Sequence, residues 1–179
     1  MPPPTPSRRC VFFDRDGIVN QSPGPGYVNH IDHFHILPGF IDCIRAVSEK
    51  GLPAVIVTNQ RGIARGITPP EQLDAMHRLL HTELAREELA LLDILICTAD
   101  DSTHPDRKPN PGMLLSAARR YHLDLSQSWM IGDRESDVQT GQNAGVAVTV
   151  LVDPGTTPTA ATHRVPDMIA CAALLRNTL

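Results

Sequence analysis

Apolar positions in this chain follow two alternating patterns. Near-continuous runs occur at Cys10-Val11-Phe12-Phe13, at residues 53–57 and 92–97, at Trp129-Met130-Ile131, and at 146–152. Each is short, and the first four break off into polar residues, which predicts buried strands delivering their C-terminal tips to solvent. Between them, apolar residues recur at helix spacing. Ile41, Ile44 and Val47 precede a stop at Gly51; Leu73, Met76, Leu80 and Leu84 form a second stripe; Leu114, Leu115, Ala118 and Tyr121 form a third. Another helix is expected from Val138 toward Gly145, and residues 168–175 read as a short strand or turn and a closing helix.

Two helix starts carry explicit signals. Thr68 is expected as an N-cap with Pro69 at the first helical position and Glu71 closing a capping box, and Asn110 as an N-cap followed by Pro111. Strand–helix alternation with nearly unbroken apolar strands implies a parallel sheet covered on both faces. The expected architecture is therefore α/β, a three-layer Rossmann-like fold with no large cap domain. Residues 17–37 break the alternation. This stretch has no period and is rich in Gly, Pro, Asn and His, so it reads as a lid or specificity loop.

Composition narrows the partners. The 179 residues fit one domain, and a net charge of −4 without long basic runs argues against nucleic acid or an anionic membrane. No apolar run approaches membrane-spanning length. Ser7-Arg8-Arg9 resembles the start of a twin-arginine signal, but the apolar stretch ends at Asp14, far too soon. Four scattered cysteines without a CxxC pair suit a reduced, cytoplasmic protein. The proline-rich start, residues 1–8, is expected to be a flexible tail, and a monomer is the default assembly.

The chemistry collects at the strand ends. The first strand runs into Asp14-Arg15-Asp16-Gly17, the second into Thr58-Asn59-Gln60 and the fourth into Gly132-Asp133, with Asp137 one turn later; Lys108 precedes the third helix. In an open α/β sheet these positions share one edge, where ligands bind. Each has a plainer reading: a turn for Asp14 to Gly17, a β-branched strand residue for Thr58, a solvated charge for Lys108, and a turn or N-cap for Asp133. Together they suit phosphoryl transfer. Asp14 can attack phosphorus, Asp16 can exchange protons with leaving oxygen and water, and Thr58 and Lys108 can stabilise the phosphoryl oxygens. Mg²⁺ would find oxygen ligands in Asp14, Asp133 and the Asp16 carbonyl.

These four segments, in this order, resemble the motifs of the haloacid dehalogenase superfamily of phosphatases. The longer strings Thr58-Asn59-Gln60-Arg61-Gly62-Ile63-Ala64-Arg65-Gly66 and Arg107-Lys108-Pro109-Asn110-Pro111-Gly112-Met113 resemble its capless branch, which acts on heptose bisphosphate or histidinol phosphate. The Ile63-Ala64-Arg65-Gly66 continuation favours the heptose side. The resemblance implies Asp14 as nucleophile, Asp16 as general acid/base, Thr58 and Lys108 as phosphoryl stabilisers, and Mg²⁺ on Asp14, Asp16 and Asp133, with Asp137 behind them. Arg107 would contact substrate beyond the transferred phosphate, and an arginine fork suits a second phosphate. Asn59, Gln60, Arg134 and Tyr27 are further substrate-binding candidates.

Two departures from that branch stand out. Its zinc loop is reduced to Cys97, His104 and Asp106, with Ala99 where a histidine would stand, so no zinc is expected. The 21–28 segment is longer and richer in Pro and Gly, and His30, His33 and His35 read as solvated loop residues. Two other classes also fit parts of the pattern: a phospho-accepting receiver-like switch, and a binding protein that has lost activity. The switch lacks a place for Asp16, and nothing the chemistry requires is missing for the loss of activity to be favoured.

Overall fold

The computed structural model describes residues 8–179, so residues 1–7 of the anticipated tail lie outside it. Arg8, the last residue of that tail, is anchored: its N–H donates to His122 O and its carbonyl accepts from Asp124 N.

Twelve elements follow in chain order: β1 (Val11–Phe13), α1 (Phe40–Glu49), β2 (Ala54–Asn59), α2 (Arg61–Ala64), α3 (Pro70–Arg86), β3 (Asp93–Cys97), α4 (Gly112–Tyr121), β4 (Trp129–Gly132), α5 (Glu135–Ala144), β5 (Val148–Val152), β6 (His163–Val165) and α6 (Met168–Thr178). The strands form one parallel sheet in the order β3-β2-β1-β4-β5-β6. The chain moves outward from β1 to β3, then returns to start the other half at β4. The β1/β4 seam is therefore where the direction of winding reverses, and a crevice opens at the carboxyl ends there.

Register decides what meets in that crevice. Phe13 is level with Ile56 on one side and Ile131 on the other, so Asp14 leaves β1 beside Gly132 at the end of β4, while β2 runs on through Thr58 and Asn59. Strand alternation sends Val11, Phe13, Ile56 and Ile131 to one face, against Phe40, Ile44, Met76, Leu80 and Cys171 of α1, α3 and α6. Phe12, Val55, Val57 and Met130 go to the other, against Met113, Leu114 and Ala117 of α4. Phe13 meets Phe40 edge-on with ring centroids 5.8 Å apart. Burying each such ring contributes about 1.5–3 kcal/mol, which anchors this three-residue strand between the two layers.

The expected three-layer fold without a large cap is present, with local differences. β6 has no apolar run; it is an edge strand with only Val165 buried, held by its ladder to β5. β2 continues through Thr58 and Asn59 because both pair with β3. Both expected N-caps are displaced. Thr68 donates its N–H to Gly62 O while its Oγ1 is buried without a hydrogen-bond partner, and α3 starts after Pro69 without a side-chain cap. Asn110 spends its amide on Ser102 O and His104 O, and α4 begins after Pro111. The 17–37 stretch is better packed than a lid would be, with Ile18, Val19, Val28 and Phe34 all buried.

Candidate active site

β1 and β4 end beside each other, and Asp14 N donates to Ile131 O, so Asp14 leaves the sheet next to the Gly132-Asp133 turn. Lys108 reaches in from the loop before α4. Its Nζ lies 2.6 Å from Asp14 Oδ1 and 2.6 Å from Asp137 Oδ1, and all three side chains are buried. Asp133 completes the group. Asp14, Asp133 and Asp137 each present a carboxylate oxygen, all within 4.8 Å of one another.

One ammonium among three carboxylates leaves an excess of negative charge in a region that water hardly reaches. Burial pushes Asp14 up to about 7, with Lys108 opposing and Asp137 adding to the rise. Burial likewise raises Asp133 to about 6, helped by Asp137. Lys108 is held above its ordinary value because Asp137 and Asp14 outweigh the burial that works against its charge. Asp133 Oδ1 is buried and has no hydrogen-bond partner; the nearest cation, Arg134 Nε, is 3.8 Å away. An orphaned buried oxygen in an all-oxygen, over-negative cluster is the donor set a hard divalent cation takes.

Two glycines make room for this cluster. Gly17 has φ +92°, and a Cβ there would sit 2.2 Å from Asp133 Oδ2; a Cβ on Gly132 would fall 2.2 Å from Asp137 Cβ. Asp137 also accepts from Arg134 N at 3.2 Å, which ties its carboxylate to the first turn of α5.

Asp16 belongs to a different network. Its carboxylate accepts from the Arg15 fork at 2.7 and 3.0 Å, from Asn20 Nδ2 at 2.9 Å and from Gln60 Nε2 at 3.0 Å. Burial opposes its ionisation, but Arg15, Asn20 and Gln60 together hold it below the usual carboxylate range. The same Gln60 nitrogen donates to Thr58 Oγ1 at 2.8 Å. Asn59 is turned to Lys108: its Oδ1 accepts from Lys108 N and its Nδ2 donates to Lys108 O.

Asp14, Asp16, Asn59, Gln60, Lys108 and Asp137 line a cavity of about 320 Å³, whereas Asp133 lines a separate one with Gly17 and Asp153. The mouth of the first is cationic, with Arg61, Arg107 and Arg134 in the lining, and Tyr27 faces them from the first loop. Arg61 lies over the Tyr27 ring, 5.8 Å from its centroid. Arg65 donates to Tyr27 Oη at 3.2 Å and to Asp100 at 2.8 Å, and Arg107 donates to Ala99 O at 2.8 Å. The tip of the 17–37 loop, residues 23–28, thus forms one wall of the cavity.

Of the anticipated residues, Asp14 contacts Lys108 directly, and Asp133 brings a carboxylate oxygen within 4.8 Å of Asp14. Asp16, Thr58 and Gln60 meet as a second, linked group, and Tyr27, Arg107 and Arg134 stand at the mouth. Asn59 packs against the lysine backbone. Asp137, expected behind the others, touches Lys108 itself. Arg15, Asn20, Arg61 and Arg65 were not anticipated; no spacing rule separates an inward arginine from a solvated one, although Arg15 does sit between two acids. Cys97 Sγ and His104 Nδ1 are 3.8 Å apart, and Asp106 N donates to His104 Nδ1. Among the described residues, the three-aspartate group is the one cluster of three or more potential metal ligands. His30 and His33 stack edge-on outside the cavity lining.

A HAD-hydrolase-like family model matches residues 106–174. D-glycero-beta-D-manno-heptose-1,7-bisphosphate 7-phosphatase of Yersinia pestis is 37% identical over 177 residues, spanning 92% of this chain and 91% of that one. The chain belongs to the HAD-like hydrolase family. It is a phosphatase, a phosphoric monoester hydrolase. The alpha-anomer enzyme of Burkholderia mallei is 35% identical over 156 residues, covering 80% of this chain and 79% of its own. Among solved structures, D,D-heptose 1,7-bisphosphate phosphatase from B. bronchiseptica, complexed with magnesium and phosphate, superposes with TM-score 0.85 at 31% identity, over 96% of this chain and 99% of that one. This HAD-like phosphatase has no helix among its described residues long and apolar enough to cross a membrane.

Proposed function

We propose that this phosphatase removes the 7-phosphate of D-glycero-D-manno-heptose 1,7-bisphosphate, with Mg²⁺, through an aspartyl phosphate on Asp14. The observation that carries the reading is Lys108 Nζ held 2.6 Å from Asp14 at the sheet's crevice, beside the unpartnered oxygen of Asp133. Asp14 attacks phosphorus as the bond to the sugar oxygen breaks, and Asp16, once it has taken up a proton that Arg15, Asn20 and Gln60 disfavour in the free site, passes it to that oxygen. Asp16 then takes a proton from water, which attacks the aspartyl phosphate; inorganic phosphate leaves and Asp14 is free again. Lys108 and Thr58 meet the charge on the transferred oxygens. Asp14, Asp133 and the main-chain carbonyl of Asp16 would hold magnesium, which when bound offsets phosphoryl charge that one lysine cannot.

For the substrate, the cationic mouth is the discriminating feature. Arg61, Arg107 and Arg134 favour a leaving group carrying a second phosphate, whereas histidinol phosphate would bring an ammonium toward three guanidinium groups. The relatives' names point the same way. All four cysteines are free and buried, which supports a reducing, cytoplasmic setting, and every proposed group comes from one chain, as a monomer requires. Turnover of the heptose bisphosphate, histidinol phosphate and simple sugar monophosphates should be compared with added Mg²⁺. Preference for histidinol phosphate would overturn the substrate; a long-lived phosphoprotein without turnover would overturn the mechanism.

A further inference from the structure

Gln60 opens α2 immediately after β2, with its backbone N–H donating to Cys97 O at 2.7 Å, so the side chain is launched from a fixed point. It is buried, and one nitrogen serves two neighbours: Asp16 Oδ2 at 3.0 Å and Thr58 Oγ1 at 2.8 Å. Asp16 also accepts from Arg15 and Asn20. An acceptor so engaged demands the NH2 end of the amide, because the oxygen end would face it with lone pairs. That choice fixes the neighbouring bond too. An amide nitrogen donates and does not accept, so Thr58 Oγ1 must accept from it and must direct its own proton elsewhere. Among the described residues no group accepts that proton.

We propose that Gln60 is a positioning residue: by donating from one amide nitrogen to both Asp16 and Thr58, it turns the Thr58 hydroxyl proton away from itself and leaves it free to be donated to the phosphoryl group being transferred. This rests on the reading of Thr58 as a phosphoryl donor. It departs from the expectation that Gln60 binds substrate directly. A hydroxyl left to rotate would face the phosphate with lone pairs for part of the time, whereas a pre-oriented one reorganises little during reaction.

The test is a double-mutant cycle in kcat/KM, with the wild-type enzyme and Mg²⁺, on the heptose bisphosphate and on p-nitrophenyl phosphate. Gln60→Met keeps the volume and removes the donor; Thr58→Val removes the hydroxyl. Gln60→Met should lower kcat about 10- to 100-fold on both substrates with KM within about threefold, and weaken orthovanadate inhibition in step. In the Thr58→Val background the same change should cost less than about threefold. Gln60→Glu preserves the shape but turns the neighbouring atom into an acceptor, which would draw the Thr58 proton inward; it should lose at least as much as Thr58→Val. It also serves as the readout where Gln60→Met lowers the melting temperature. An undiminished loss in the Thr58→Val background, a loss confined to KM of the bisphosphate, or wild-type activity in Gln60→Glu would each overturn the proposal. Absence of turnover by the wild-type enzyme on either ester would instead overturn the phosphoryl-transfer reading beneath it.

Discussion

Asn59 and Lys108 hold each other at both ends of one amide: Asn59 Oδ1 accepts from Lys108 N at 3.1 Å, and Asn59 Nδ2 donates to Lys108 O at 3.2 Å. The last residue of β2 thereby sets the backbone from which the lysine projects to Asp14. Asn59→Ala removes both bonds and should lower kcat/KM about 10- to 100-fold, since small displacements of a catalytic group are expensive. Asn59→Asp retains the acceptor and should fall between the two. Steady-state kinetics beside a melting curve would check this; unchanged kinetics in a folded Asn59→Ala would show that the lysine does not depend on the clamp.

Among the described residues, Lys108 is the sole cation in contact with Asp14 and Asp137. Lys108→Met should abolish turnover and destabilise the protein by about 3–5 kcal/mol, because two buried carboxylates lose their partner. Added Mg²⁺ should restore part of that stability by neutralising the same charge. The relevant measurement is the melting temperature of wild type and variant with Mg²⁺ and with EDTA. A Mg²⁺-dependent rise larger in the variant is expected; equal rises would separate the cation from this cluster.

Gly17→Ala is expected to be far more damaging than its size suggests. The new methyl would occupy the place of the Asp133 carboxylate, and the residue sits at φ +92°. The backbone conformation alone costs about 1–2 kcal/mol. Displacing Asp133 should in addition raise the Mg²⁺ concentration needed for half-maximal activity at least tenfold. A variant with an ordinary Mg²⁺ requirement would mean that Asp133 is not part of the cation site.

His77 on α3 gives a pH dependence away from the cluster. Burial, and then Arg15 and His81, push it down to about 4 from an ordinary 6.5. The folded protein keeps it neutral while the unfolded chain protonates it, so between these values the unfolded state binds more protons. Its contribution is therefore nil above about pH 6.5, and stability declines as the pH falls toward 4. The loss, which levels off below that, is on the order of 3 kcal/mol. His77→Gln should flatten this part of the profile. Denaturant melts from pH 7 to pH 4 would decide, and identical slopes would exclude His77 as the cause.

The runs of β1, β2, β4 and β5 were legible because a strand buried on both faces has to be apolar along its length, whereas β3 is an edge strand with only Cys97 buried that is apolar all the same. β6 was illegible for the opposite reason, since an edge strand with one buried residue is held by backbone ladder bonds that any side chain permits. The two capping signals were misread as local events. Thr68 and Asn110 are the right residue types, but the Asn110 side chain is drawn to the 102–104 loop and the Thr68 Oγ1 makes no hydrogen bond.

What the chain declares on its own is which residue types stand at the ends of the first, second and fourth strands, and that the fold gathers those ends: Asp14, Asp16, Thr58 and Asp133 follow from apolar runs that stop. What the tertiary structure decided is how those groups divide. Asp14 joins Asp133, Asp137 and Lys108, while Asp16, two residues away, turns to Arg15, Asn20 and Gln60. Spacing along a strand can bring two carboxylates to one edge. Asp14 meets a lysine 94 positions away and Asp16 an arginine 1 position away, because a charge is neutralised by whatever the packed fold carries within a few ångströms.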